Sequence, residues 1–109
     1  MTLIIRSEST LKKLVIRVDL ELEDLIPEYL ESRRKDIVLF RDAMNRNDFV
    51  TVTQLAHNIK GSGGGYGFDL ISKLGGDIEH ASSEKDATSI QKSLTDLDYY
   101  LNHIEVVYK

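Results

Sequence analysis

The sequence contains no cysteine. That removes disulfide frameworks, thiolate nucleophiles and cysteine-based zinc sites, and it suits a reducing compartment. Proline occurs once, at Pro27. All-β folds usually spend more proline on their turns, so a helical protein is expected. There is no basic excess either: 14 lysines and arginines stand against 18 aspartates and glutamates, for a net charge of −4. Nucleic acids and anionic membrane surfaces usually call for the opposite balance. No apolar run approaches the length of a membrane span. The opening Met1-Thr2-Leu3-Ile4-Ile5-Arg6 lacks the charged start, apolar stretch and small-residue cleavage site of a signal peptide. A cytoplasmic protein without nucleic-acid or membrane partners is expected.

What is present is one domain's worth of chain, 109 residues, 41% apolar and 29% charged, enough for a modest core without disulfides or a structural metal. Four segments carry apolar residues at three- and four-residue steps, the period of an amphipathic helix. The first covers about 22–45, with Leu22, Leu25, Ile26, Tyr29, Leu30, Ile37, Phe40 and Met44 on its stripe. Pro27 is tolerated in its first turn. The charged run Arg33-Arg34-Lys35-Asp36 is expected to be a solvated face. The second segment covers about 48–64, capped by Asp48, with Phe49, Val52, Leu55, Ala56 and Ile59 inward. The third covers 69–82. The fourth covers 87–107, where Ile90, Leu94, Leu97, Leu101, Ile104 and Tyr108 form a coiled-coil-like seam. Short links between such helices predict an all-α, antiparallel up-down four-helix bundle over 22–109. Residues 14–20 alternate weakly, like a strand, and an extended arm or short helix packed on the bundle fits 1–21 equally.

The chemistry concentrates in Leu55-Ala56-His57-Asn58-Ile59-Lys60-Gly61-Ser62-Gly63-Gly64-Gly65-Tyr66-Gly67. On a helical wheel with Phe49 at zero, the apolar stripe of the second helix centres near roughly 300°, while His57 falls at roughly 80°. A core histidine would sit on the stripe, so this one faces out. Gly61 follows one turn later on the same face. A helix-interior glycine costs about 1 kcal/mol relative to alanine, so room has been left beside the ring. Gly64 is expected on the same side. Lys60 can swing its ammonium toward whatever the imidazole holds, which would stabilise a dianionic group on nitrogen. An exposed imidazole is substantially unprotonated and nucleophilic at neutral pH. No second acid or base accompanies it in the motif. That fits an acceptor whose donor brings the catalytic machinery and does not fit a complete hydrolase site. The glycine run is no P-loop, because it lacks the following Lys-Ser/Thr and ends a helix where such loops begin one. His57, His80 and His103 fall on three different helices, and no metal site is expected from them.

Ala56-His57-Asn58-Ile59-Lys60-Gly61-Ser62, followed by Gly67, Leu74 and Ile78, resembles the histidine-containing phosphotransfer (HPt) domain of bacterial phosphorelays. The resemblance extends from about residue 22 to the end through the order and lengths of the helices. It implies that His57 is the phosphoacceptor, that Lys60 steadies the phosphoryl group and that Gly61 leaves room for the partner. Some members hold the ring's far nitrogen with an acidic or amide residue on the next helix, a place that Glu79 matches. The glycine density at Gly63, Gly64 and Gly65 departs from the family's usual pattern and leaves the end of the second helix open. Gly67 is then the expected turn residue. The implied partners are receiver domains of response regulators or hybrid histidine kinases, with a histidine kinase as a further candidate donor. The docking face would include Val50, Gln54, Gly61 and Gly64. No cofactor is expected on this chain, since the Mg²⁺ belongs to the receiver. A monomer is expected, and the sequence fits a free shuttle and a domain cut from a longer chain equally. The alternative reading is a non-catalytic helical interaction module in which His57 is incidental.

Overall fold

The computed structural model describes residues 14–109. Of the arm expected over 1–21, residues 1–13 lie outside the described ones. The described part begins with a strand, β1 (Leu14–Val18), and a 3₁₀ turn at Leu20–Leu22. Four helices follow: α1 (Ile26–Asn45), α2 (Phe49–Ser62), α3 (Asp69–Ser83) and α4 (Ala87–His103). A second strand, β2 (Ile104–Tyr108), ends the order.

The helices begin where local chemistry lets them. Asp48 caps α2 by accepting from the Thr51 amide at 3.1 Å and the Thr51 hydroxyl. Asp86 caps α4 in the same way through Ser89. These hydrogen bonds hold both carboxyls below their ordinary pKa, because they favour the charged form. Helix α1 starts one turn later than the apolar pattern suggests, with Pro27 in its first turn, where the missing N–H breaks no intrahelical bond. Asn47 and Lys85 take left-handed φ values of 55° and 56° just beyond α1 and α3. Their short links return the chain, so neighbouring helices run antiparallel.

The apolar stripes meet in one core. Phe40, Val52, Ala56, Phe68, Ile71, Ile78, Ile90, Leu94 and Leu97 are all fully buried. Helix α2 packs between α1 and α3, and α4 closes the bundle against α1 and α3. Ser82 is the buried polar residue among those described. Its hydroxyl donates to the Phe49 carbonyl at 3.0 Å and accepts from Thr53 Oγ1 at 2.9 Å, which removes the penalty of leaving it unpaired.

Two expectations need correction. The seam of the fourth segment does not continue as helix to 107: α4 stops at His103, and Ile104–Tyr108 turn into β2. That strand pairs in parallel with β1, from Leu14 opposite Ile104 to Val18 opposite Tyr108, so the bundle itself is the crossover between the two strands. Arg33 and Asp36 are not part of a solvated face. Their side chains are only 17% exposed and pair at 2.8 Å, and Arg33 lies 4.6 Å over the Tyr29 ring. Tyr29 in turn stacks on Tyr66 and Phe68 and shares a 2.9 Å hydrogen bond with Ser62. This cluster ties the last turn of α2 to α1. None of the described helices is long and apolar enough to cross a membrane.

Candidate functional site

Helix α2 buries Val52, Ala56 and Ile59, and that choice of inward face sets what points out. Val50, Gln54, His57, Lys60 and Gly61 are all exposed. Val50 is 70% exposed despite being apolar, and the His57 side chain is 71% exposed. A Cβ added at Gly61 would meet nothing within 4 Å, so the helix surface beside the ring is open. Gly64 falls beyond the end of the helix, in a 3₁₀ turn at Gly64–Tyr66. There its amide donates to Ser72 Oγ at 2.8 Å. A wheel drawn for α2 therefore no longer places Gly64, and its exposed position belongs to the corner between α2 and α3.

Helix α3 supplies the partner of the ring. Glu79 Oε2 lies 3.0 Å from His57 Nδ1, and Glu79 Oε1 lies 3.5 Å from Lys60 Nζ. A carboxylate can only accept, so Nδ1 carries the proton in this contact. In the neutral ring the lone pair then resides on Nε2, which makes no hydrogen bond among the described residues. Glu79 is itself half-buried at 26% side-chain exposure, so the bond forms on the shielded side of the ring and leaves the other edge to solvent.

The reach of Glu79 depends on two residues that the periodicity did not single out. Helices α2 and α3 cross closely at Gly75. A Cβ there would fall 2.7 Å from the Lys60 amide nitrogen and 3.0 Å from the Ala56 carbonyl oxygen. One residue on, at Gly76, the space a Cβ would fill is bounded by the Lys60 stem, with its Cδ at 3.7 Å. Adjacent glycines in a helix interior sacrifice about 1 kcal/mol each relative to alanine, and that was the available signal. Gly63 plays the same part at the corner, where a Cβ would collide with the Ser72 amide and the Phe68 carbonyl. Gly67 takes φ +94°, a conformation that suits glycine, and turns the chain into α3.

The other histidines stay apart from this site. His80 is exposed and 3.8 Å from Glu84. His103 stacks on Tyr99 and bonds its carbonyl through Nδ1 at 2.7 Å. Among the described residues, no group of three or more His, Cys, Asp or Glu side chains could hold a metal ion.

Taken together, the arrangement is a solvent-facing imidazole with a fixed tautomer, a cation beside it and open space next to it, on a rigid bundle. Such a site can present a nucleophilic nitrogen to a large partner. Among the described residues it supplies no leaving-group acid and no nucleotide cradle. Neither a curated protein nor a solved structure matches the chain significantly. A family model does: the Hpt domain model matches residues 24–105, a span that holds all four helices and the His57–Lys60–Glu79 cluster. The chain therefore belongs to the Hpt domain family, the phosphotransfer modules of phosphorelay signalling that interact with receiver domains and kinases.

Proposed function

We propose that His57 Nε2 accepts a phosphoryl group from the phosphoaspartate of a receiver domain, or from a histidine kinase, and passes it on to a receiver. The reading rests on one observation: Glu79 engages Nδ1 at 3.0 Å, so the free lone pair sits on the ring's solvent-facing edge. In the transfer, that lone pair attacks phosphorus. The bond between phosphorus and the aspartyl oxygen breaks, and the partner's carboxylate departs with the electron pair. The proton on Nδ1 stays in place, held by Glu79. This hydrogen bond fixes the ring orientation and supports the positive charge that grows on the imidazole.

Lys60 supplies the cation for the phosphoryl oxygens. Its stem leaves α2 next to the ring, and its side chain is 56% exposed. Val50, Gln54 and Gly61 form the surface onto which the receiver docks, with Gly64 at its border. Val50 offers the apolar contact that interfaces favour at their core, and the void over Gly61 admits the receiver's active-site loops. The Mg²⁺ of the reaction is carried by the receiver, and this chain acts as a monomeric cytoplasmic carrier of the bacterial type.

The test mixes the chain with a purified receiver phosphorylated in advance. Label should move to this chain, resist base, fall off in acid and be absent from His57→Gln. Tight binding without label, unchanged in His57→Gln, would leave the chain a non-catalytic interaction module.

A further inference from the structure

Glu79 faces two groups at once, and their contacts are unequal. Its bond to His57 Nδ1 is 3.0 Å, while its approach to Lys60 Nζ is 3.5 Å, at the outer limit of a hydrogen bond. The Lys60 stem lies flat along α3, with Cγ, Cδ and Cε 3.7–4.0 Å from the place where a Gly76 Cβ would stand. The ammonium is thus drawn back from the open side of the ring and laid over a glycine floor, toward a carboxylate that already serves the imidazole.

We infer that Glu79 and Gly76 form a holding site for the Lys60 ammonium, and that phosphorylation of His57 transfers this ammonium from Glu79 to the phosphoryl oxygens. The inference rests on His57 being the phosphoacceptor. With a neutral ring, Lys60 is the full positive charge closest to Glu79 among the contacts it makes. Once phosphorus bonds to Nε2 while Nδ1 keeps its proton, the ring becomes cationic. Glu79 then has a charge-assisted partner at the shorter distance and no longer needs the ammonium. The new dianion on Nε2 attracts Lys60 more strongly than a monoanion shared with an imidazolium. Both changes act in the same direction. Glu79 is a positioning residue in this scheme, acting through His57 and Lys60, and Gly76 provides the path along which the lysine stem slides.

The measurement is a carbon–proton correlation spectrum of the full chain, labelled at the lysine Cε positions, before and after treatment with phosphoramidate. In that reaction the phosphorus–nitrogen bond of the donor breaks, ammonia leaves and the Nε2–phosphorus bond forms. The Lys60 signal, assigned by its loss in Lys60→Arg, should move on phosphorylation. In Glu79→Gln it should start displaced from the unmodified wild-type position and end near the phosphorylated one. A Lys60 signal that ignores Glu79→Gln before phosphorylation, or that stays still when wild-type His57 is labelled, overturns the handover while leaving the phosphoacceptor role standing. No label on His57 from phosphoramidate or from a receiver removes the proposed function, and the handover with it. A kinetic arm checks the floor. Gly76→Leu should slow transfer about tenfold or more and add nothing further in a Lys60→Ala background, whereas additive effects of the two changes count against the shared path.

Discussion

Replacing Gly75 by alanine isolates the contact on which the site geometry depends. The added methyl would lie 2.7 Å from the Lys60 amide nitrogen, 3.0 Å from the Ala56 carbonyl oxygen and 3.0 Å from Lys60 Cα. All three are backbone atoms of α2, so no rotamer change can relieve the clash. Helix α3 must back away by several tenths of an ångström. Overpacking of a well-packed core usually costs about 1–3 kcal/mol, and an unyielding backbone neighbour places this case in the upper part of that range. Alanine returns about 1 kcal/mol through its helix propensity. The net expectation is a loss of about 1–2 kcal/mol, with the melting temperature falling by about 4–8 °C per kcal/mol for a domain of this size.

Urea unfolding followed by circular dichroism measures the loss, with an unchanged m-value showing that the denatured state is the same. Gly76→Ala is the matched control. Its methyl would touch only the Lys60 stem, at 3.7 Å or more, so it should stabilise by about 0.5–1 kcal/mol. The site responds as well. Backing α3 away lengthens the 3.0 Å bond from Glu79 to His57 and takes the 3.5 Å approach to Lys60 out of hydrogen-bond range, so transfer should slow in Gly75→Ala. If the Gly75→Ala protein proves as stable as the Gly76→Ala protein, the close crossing of α2 and α3 is wrong, and the account of how Glu79 reaches the ring fails with it.

Gly61→Gln should raise helix stability by up to about 0.5–1 kcal/mol, since nothing lies within 4 Å of the new Cβ. It should nevertheless impede transfer from a receiver by filling the space beside His57, and an unimpaired rate would remove the steric role of this glycine. Lys60→Ala should leave the fold intact, because the side chain is 56% exposed, and slow transfer by about 10–100-fold; equal rates in stopped-time transfer assays would dismiss the assigned cation. The caps Asp48 and Asp86 titrate in the folded chain below their ordinary value of 3.8. Their contribution is therefore complete above the unfolded pKa and disappears as pH falls through the lower folded one. Replacing both by alanine should lower the melting temperature at neutral pH and flatten its decline on the acid side, and an acid limb as steep as the wild type's would contradict this.

The helices were legible because burial imposes a period that survives in one dimension: Val52, Ala56 and Ile59 define an inward face, and His57 is outward by the same arithmetic. Glu79 could be placed only at the flank of its stripe, since its bond to His57 depends on the crossing of two helices. That crossing is set by Gly75, and absent side chains leave no periodic trace. The end of α4 escaped for a different reason. Ile104 and Tyr108 continue the four-and-three spacing of the seam, yet the same two residues also share a face of a strand with Val106, because a step of two coincides with a step of four. The β-branched run of Ile104, Val106 and Val107 favours extended backbone, but local preference decides little between such readings. What settles them is β1, some ninety positions earlier by the register of Leu14 with Ile104. A parallel partner cannot be supplied by a tight turn, so the strand exists only once the bundle between its two halves has formed. The α2 residues of the proposed phosphotransfer site carry no such dependence. His57, Lys60 and Gly61 lie within two turns of one helix, and for that reason they could be recognised in the sequence before any tertiary contact was known.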